Sequence, residues 1–133
     1  MITFNEVINI IYNIKTDSSI SIKIKKCKVL LEIEKLLENE NPNFGLLSKE
    51  DEETLKLFIN GKNVDNIEQV YFKSLDKLKF RYLECKQLAI HDKNYNNIVN
   101  ILETLLLEIK CNFDSSCIKA YKKYLESIQN KIK

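Results

Sequence analysis

Asp65-Asn66-Ile67-Glu68-Gln69-Val70-Tyr71-Phe72-Lys73-Ser74-Leu75-Asp76-Lys77-Leu78-Lys79-Phe80-Arg81-Tyr82-Leu83-Glu84-Cys85-Lys86-Gln87-Leu88-Ala89-Ile90 is the stretch that decides the fold. Asp65 and Glu68 have the spacing of a capping box, the first accepting from the backbone and the second reaching back. Behind them Ile67, Tyr71, Leu75, Leu78, Tyr82, Cys85 and Ala89 recur at spacings that alternate between four and three, which lines one face of an α-helix. At 1.5 Å per residue this helix is about 37 Å long. Phe72, Leu83 and Ile90 make a second, thinner apolar line about a third of a turn away. A helix that is apolar on two sides is contacted on two sides. Residues 66–90 are therefore predicted to be the central helix, with the others packed around it.

Downstream, His91-Asp92-Lys93 is a turn, and Ile98, Ile101, Leu102, Leu105, Leu106 and Ile109 build a broad apolar face on a helix of about residues 94–110. Leu107 stands alone on the polar side of that helix. Asp114-Ser115-Ser116 caps a last helix whose inner stripe is read as Cys117, Tyr121, Tyr124, Ile128 and Ile132, with Lys119, Lys122, Lys123 and Glu126 outside.

Upstream, Thr3-x-x-Glu6 is a second capping box, with Ile2 and Val7 placed as a hydrophobic staple. The helix it opens, residues 3–14, is expected to turn Phe4, Val7, Ile8, Ile11 and Ile14 inward and to carry Asn5, Asn9 and Asn13 outside. Residues 20–25, Ile-Ser-Ile-Lys-Ile-Lys, alternate with the period of a strand, yet Ile20, Ile24, Cys27, Leu31 and Leu37 also mark a helical face. No other stretch offers a strand partner, and a lone strand leaves its backbone hydrogen bonds unmade, so a helix to about Glu38 is the assignment. Asn39 to Leu47, with Pro42 and Gly45, is the main loop. Ser48 caps a short helix whose first turn holds Glu50, Asp51, Glu52 and Glu53, acids that suit the positive end of the helix dipole. Gly61 stands where a left-handed C-cap closes it. The whole, residues 1–133, is one all-α domain, a bundle of about six helices.

With 133 residues the chain can bury a core without metal or disulfide staples. Its 21 basic and 19 acidic residues nearly balance, and Arg81 is the single arginine, which argues against nucleic acid as a partner. The wealth of Ile, Asn and Lys, all with A/T-rich codons, reflects an A/T-rich genome. No segment reaches the ~20 apolar residues of a membrane span, and the start lacks the basic, then apolar, pattern of a signal peptide. A cytoplasmic protein is expected, its four cysteines thiols. Cys27 and Cys85 fall on apolar faces. Cys111 and Cys117 flank a short turn and are read as separate buried thiols, with a bridge between them as the other possibility.

Chemistry is thinly signalled. No Cys or His pair has metal-ligand spacing, and His91 and Cys111 lie at opposite ends of a helix, about 25 Å apart. Two glycines make no phosphate-cradling loop. The acids at 50–53 have their explanation in capping. No catalytic residue, metal ligand or cofactor is assigned, and an enzyme is not expected. Lys23, Lys25, Lys26 and Lys28 form the one basic patch.

The helix order resembles that of the poxviral Bcl-2-like family: a short first helix, a long second, a small middle one, a long central one, an apolar one and an amphipathic last. The segments that carry the resemblance are Phe4 to Asp17, Ile24 to Ile33, Val64 to Glu68 and Ile98 to Leu105. The signature Asn-Trp-Gly-Arg of the cellular family is echoed only by Asn60-Gly61-Lys62, without the Trp and with Lys for Arg. That departure weighs against direct antagonism of cell-death proteins. Poxviral members commonly lack the signature and bind proteins of innate-immune signalling.

The resemblance implies an inhibitor of host innate-immune or apoptotic signalling that works in the host cytoplasm by occupying a protein partner's surface. The alternative is a bacterial or phage toxin-immunity or anti-defence protein. Some family members self-associate through their first and sixth helices, which by that family's count are residues 3–14 and 94–110 here, and this implies a homodimer or partner interface on those two helices. Its residues here are Asn5, Asn9, Ile10, Asn13 and Leu107. The competing surface is a groove edged by Phe72, Leu83 and the basic run with Lys23, Lys25 and Lys26, where a helical peptide from an acidic partner can lie.

Overall fold

Thr3 starts the first helix as its spacing predicts. Its Oγ1 accepts from the Glu6 backbone N–H at 3.1 Å, and its hydroxyl donates to the Glu6 carboxylate at 3.2 Å. Ile2 and Val7, the two halves of the staple, are both buried. The computed structural model describes residues 2–40 and 45–132, apart from the side chains of Glu40 and residues 128–132. Pro42 and its neighbours in the main loop lie outside the described residues, as do the side chains of Ile128 and Ile132.

Among the described residues six helices follow one another: α1 (Phe4–Lys15), α2 (Ile22–Glu40), α3 (Lys49–Ile59), α4 (Ile67–Ala89), α5 (Asn96–Lys110) and α6 (Ser115–Ile132). A single 3₁₀ turn, Lys93–Tyr95, precedes α5. Among the described residues none forms a strand, and the ambiguous run at 20–25 enters a helix at Ile22. The chain is an all-α bundle.

Each helix through α5 packs on the one before it, and α5 also touches α1, α2 and α6. The centre of the bundle is thus α5, whereas α4 packs on α3, α5 and the 3₁₀ turn. Burial agrees. In α5, Val99, Ile101, Leu102, Leu105, Leu106, Leu107 and Ile109 are buried, so the helix is enclosed on nearly every side. In α4 one face is buried, at Ile67, Val70, Ser74, Leu78, Tyr82 and Cys85. The second apolar line of α4 faces outward: Phe72 is 59% exposed and Ile90 63%.

Leu107 is a correction. Only 4% of it is exposed, not the free surface expected on the polar side of its helix. Glu103, one turn before it on the same side, lies 3.8 Å from Lys122 of α6, and Lys110 sits over the Tyr121 ring at 5.6 Å. The sixth helix therefore covers the side on which Leu107 lies. Its own inner line is Ile118, Tyr121 and Leu125, so the expected stripe is rotated: Cys117 and Tyr124 are exposed.

Two caps differ in outcome. Gly61, at φ +85°, closes α3 with a Schellman pair: the Lys62 N–H donates to Leu57 O at 3.0 Å and the Gly61 N–H to Phe58 O at 3.1 Å. The capping box foreseen at Asp65 does not form. Asn66 is the N-cap of α4, without a side-chain bond, and Glu68 turns instead to Lys23 of α2.

Candidate functional site

A groove of about 420 Å³ opens between the first turns of α2 and α4, with the turn after α5 at its far lip. Ile22, Lys23, Lys26 and Cys27 line it from α2, Ile67, Glu68, Tyr71 and Phe72 from α4, and Asn112 from the turn. The local sequence explains why it stays open. Ile22 and Phe72 begin helix faces that no third helix covers, and they are 50% and 59% exposed. Cys27 and Ile67 form the buried floor. Burial pushes the Cys27 thiol up to about 11, against the pull of Lys23 and Lys26, so it rests protonated and inert.

The walls carry an aromatic pair and two cations. The Tyr71 and Phe72 rings meet edge to face at 5.3 Å. Lys26 lies over the Tyr71 ring at 5.3 Å, and burial holds its ammonium below the usual lysine range. Lys23 reaches Glu68 across the mouth at 3.1 Å with both side chains well exposed. A pair so exposed contributes at most about 1 kcal/mol, so an incoming carboxylate can take the place of Glu68.

The structure brings together Lys23, Lys26 and Phe72 of the residues named from sequence, and adds Ile22, Tyr71 and Asn112. Lys25 is elsewhere, its ammonium donating to the Lys15 carbonyl at the end of α1 at 2.8 Å. Leu83 lies three turns further along α4, outside the groove. Asn112 has φ +53° and Phe113 φ +63°, a left-handed pair of non-glycine residues that sequence reasoning missed. Two adjacent non-glycine residues there are uncommon, and Asn tolerates the region best.

On α1 the outer asparagines Asn5, Asn9 and Asn13 are exposed as expected, while Ile10 is half-buried against the core. Phe4 and Ile8, expected inward, are 37% and 36% exposed and line up with Tyr12, 59% exposed. The fully buried residues of α1 are Val7, Ile11 and Ile14, a narrower face than the sequence suggested, and α2 and α5 press on it.

The four cysteines are free thiols, with Cys117 exposed and the other three buried. Burial first, then the neighbouring Cys117 thiol across the turn, raises Cys111 to about 12. Elsewhere Glu34 is buried among acids: burial, with Glu38 and Glu52 beside it, lifts its carboxyl to about 7. No described helix is long and apolar enough to cross a membrane. Comparison with family models, curated proteins and solved structures found no match.

Proposed function

We propose that the chain is a non-enzymatic protein-interaction module that works by occupying a partner's surface, and that the groove between α2 and α4 is its working surface. The observation that supports this is the groove's make-up. Exposed Ile22 and Phe72 offer apolar anchorage on the two walls, and Lys23 and Lys26 place positive charge on the α2 wall. Such a site takes an amphipathic helix with acidic residues beside its apolar anchors. The role that fits is inhibition of host innate-immune or apoptotic signalling, the function implied by the resemblance to poxviral Bcl-2-like proteins. Toxin immunity or anti-defence action is the alternative and uses the same physics.

Peptide display against the full chain tests the reading. Selected peptides should be amphipathic and acidic, should weaken with salt, and should lose about tenfold or more in affinity for Phe72→Ala and for Lys26→Glu, that is about 1.4 kcal/mol. Selected peptides that bind both variants as well as the parent move the function to another surface.

A second reading is a homodimer that uses α1 without the helix that bears Leu107. Leu107 is buried and offers no contact, but Phe4, Ile8 and Tyr12 form an exposed apolar line on α1 beside Asn5 and Asn9. A dimer through this line sediments as such at about 50 µM, and Ile8→Glu returns it to monomer; a monomeric parent retires the idea.

A further inference from the structure

At the junction of α2 and α3, away from the groove, three carboxylates converge. Glu34 and Glu38 stand one turn apart on α2 and Glu52 faces them from α3, with one oxygen of each within 4.8 Å of the other two. Oxygens that share a calcium-sized ion sit about 2.4 Å from it and so at most about 4.8 Å from one another. The trio meets that limit without movement of either helix.

A second observation points the same way. Glu34 is 3% exposed, and its Oε2 is buried with no hydrogen-bond partner. An acid oxygen withdrawn from water without a donor is costly, and a cation is the partner that three converging acids call for. Two ammoniums lie near the trio: Lys56 is already divided between Glu52 at 3.2 Å and Glu53 at 3.6 Å, and Lys35 acts on Glu34 through its charge.

We propose that Glu34, Glu38 and Glu52 bind one hard divalent cation, calcium or manganese, that clamps α2 to α3. The donors are all carboxylate oxygens, which suits such ions and not the zinc or copper that nitrogen and sulfur ligands select. Glu38 is exposed, so the outer side of the ion stays open to water ligands. Bound there, the ion fixes the end of α2 opposite the groove.

The test uses the full chain, stripped with chelator and titrated calorimetrically with CaCl₂ and separately with MnCl₂, the latter followed also by electron paramagnetic resonance. One ion binds per chain, the melting temperature rises, and Glu38→Gln weakens binding at least about tenfold. Glu53→Gln, a neighbouring exposed acid outside the trio, binds as the parent does. Glu34→Gln adds to the comparison if it folds; exposed Glu38 keeps the test sound if it does not. Lack of saturable binding of either ion at ~1 mM overturns the proposal, and so does equal binding by Glu38→Gln, which means diffuse charge and no site.

Discussion

The Tyr82 hydroxyl donates to Glu103 Oε2 at 3.0 Å, a bond from the buried face of α4 to α5. Lys86 donates to the same hydroxyl at 3.1 Å, and Lys122 of α6 stands 3.8 Å from the other Glu103 oxygen. Three helices are thus joined through one half-buried carboxylate. Tyr82→Phe keeps the ring, 1% exposed, and removes only the hydroxyl. The loss should be about 1.5–3 kcal/mol, as for hydrogen bonds to charged groups. Urea unfolding measures it; an unchanged midpoint means that the bond carries no weight in solution.

Leu78 and Leu107 are 0% and 4% exposed. Either one cut to alanine leaves a cavity, at a cost of about 2–5 kcal/mol. The second is the sharper check, because the helical pattern of α5 alone puts Leu107 on the polar side and gives it almost no effect. A thermal shift near zero for Leu107→Ala would mean that α6 does not cover α5.

The error at Leu107 shows where the sequence runs out. Helix periodicity reports which side of a helix is apolar, so the starts at Thr3 and Ser48 and the stop at Gly61 were legible from local pattern, as was the all-α class. It does not report how many neighbours a helix has. A helix enclosed on nearly every side shows a broad stripe and one stray leucine, and the 94–110 segment reads that way. The longer stripe at 66–90 belongs to a helix with one bare face. The sites suffered in the same manner. Phe72 and Lys26 were visible as unmatched residues on two separate helices. The convergence of Glu34, Glu38 and Glu52 was not, because Glu52 had a sufficient local explanation at a helix start and its partners lie on another element.

Several buried acids predict the response to alkali. Burial raises Cys27 from 9.0 to about 11 and, with help from Cys27, Tyr71 from 10.0 to about 12. Cys111 moves from 9.0 to about 12. Above pH 9 the unfolded chain releases these protons while the folded chain holds them, so stability falls as pH rises through the window of about 9 to 12, and below it these groups have no effect. Lys26, held low by burial, acts in the opposite sense nearer its usual range. Urea midpoints at about pH 8.5 and about pH 10.5 should drop for the parent. In Cys27→Ala the drop should shrink by up to about 2 kcal/mol. In native labelling at neutral pH, exposed Cys117 should react first with a maleimide, and all four thiols should react after denaturation without reductant. Two blocked thiols, joined as Cys111 and Cys117 in a peptide map, would show a disulfide in place of the thiol contact.

Gly61 and Asn112 share a left-handed backbone but not its consequences. At Gly61, φ +85°, an added Cβ meets nothing within 4 Å, so the penalty of Gly61→Ala is conformational alone. It should amount to about 1–2 kcal/mol, the ordinary cost of forcing an alanine into that region, offset in part by the stiffer unfolded chain. Asn112, φ +53°, already bears a side chain there. Asn112→Gly relieves strain that Asn tolerates well and loosens the unfolded state, two effects that oppose each other at about 0.5–1 kcal/mol. Its melting temperature should stay within about 3 °C of the parent, whereas Gly61→Ala should melt distinctly lower. Equal losses in the two variants would show that the Asn112 side chain, at the lip of the groove, makes a contact that glycine cannot replace.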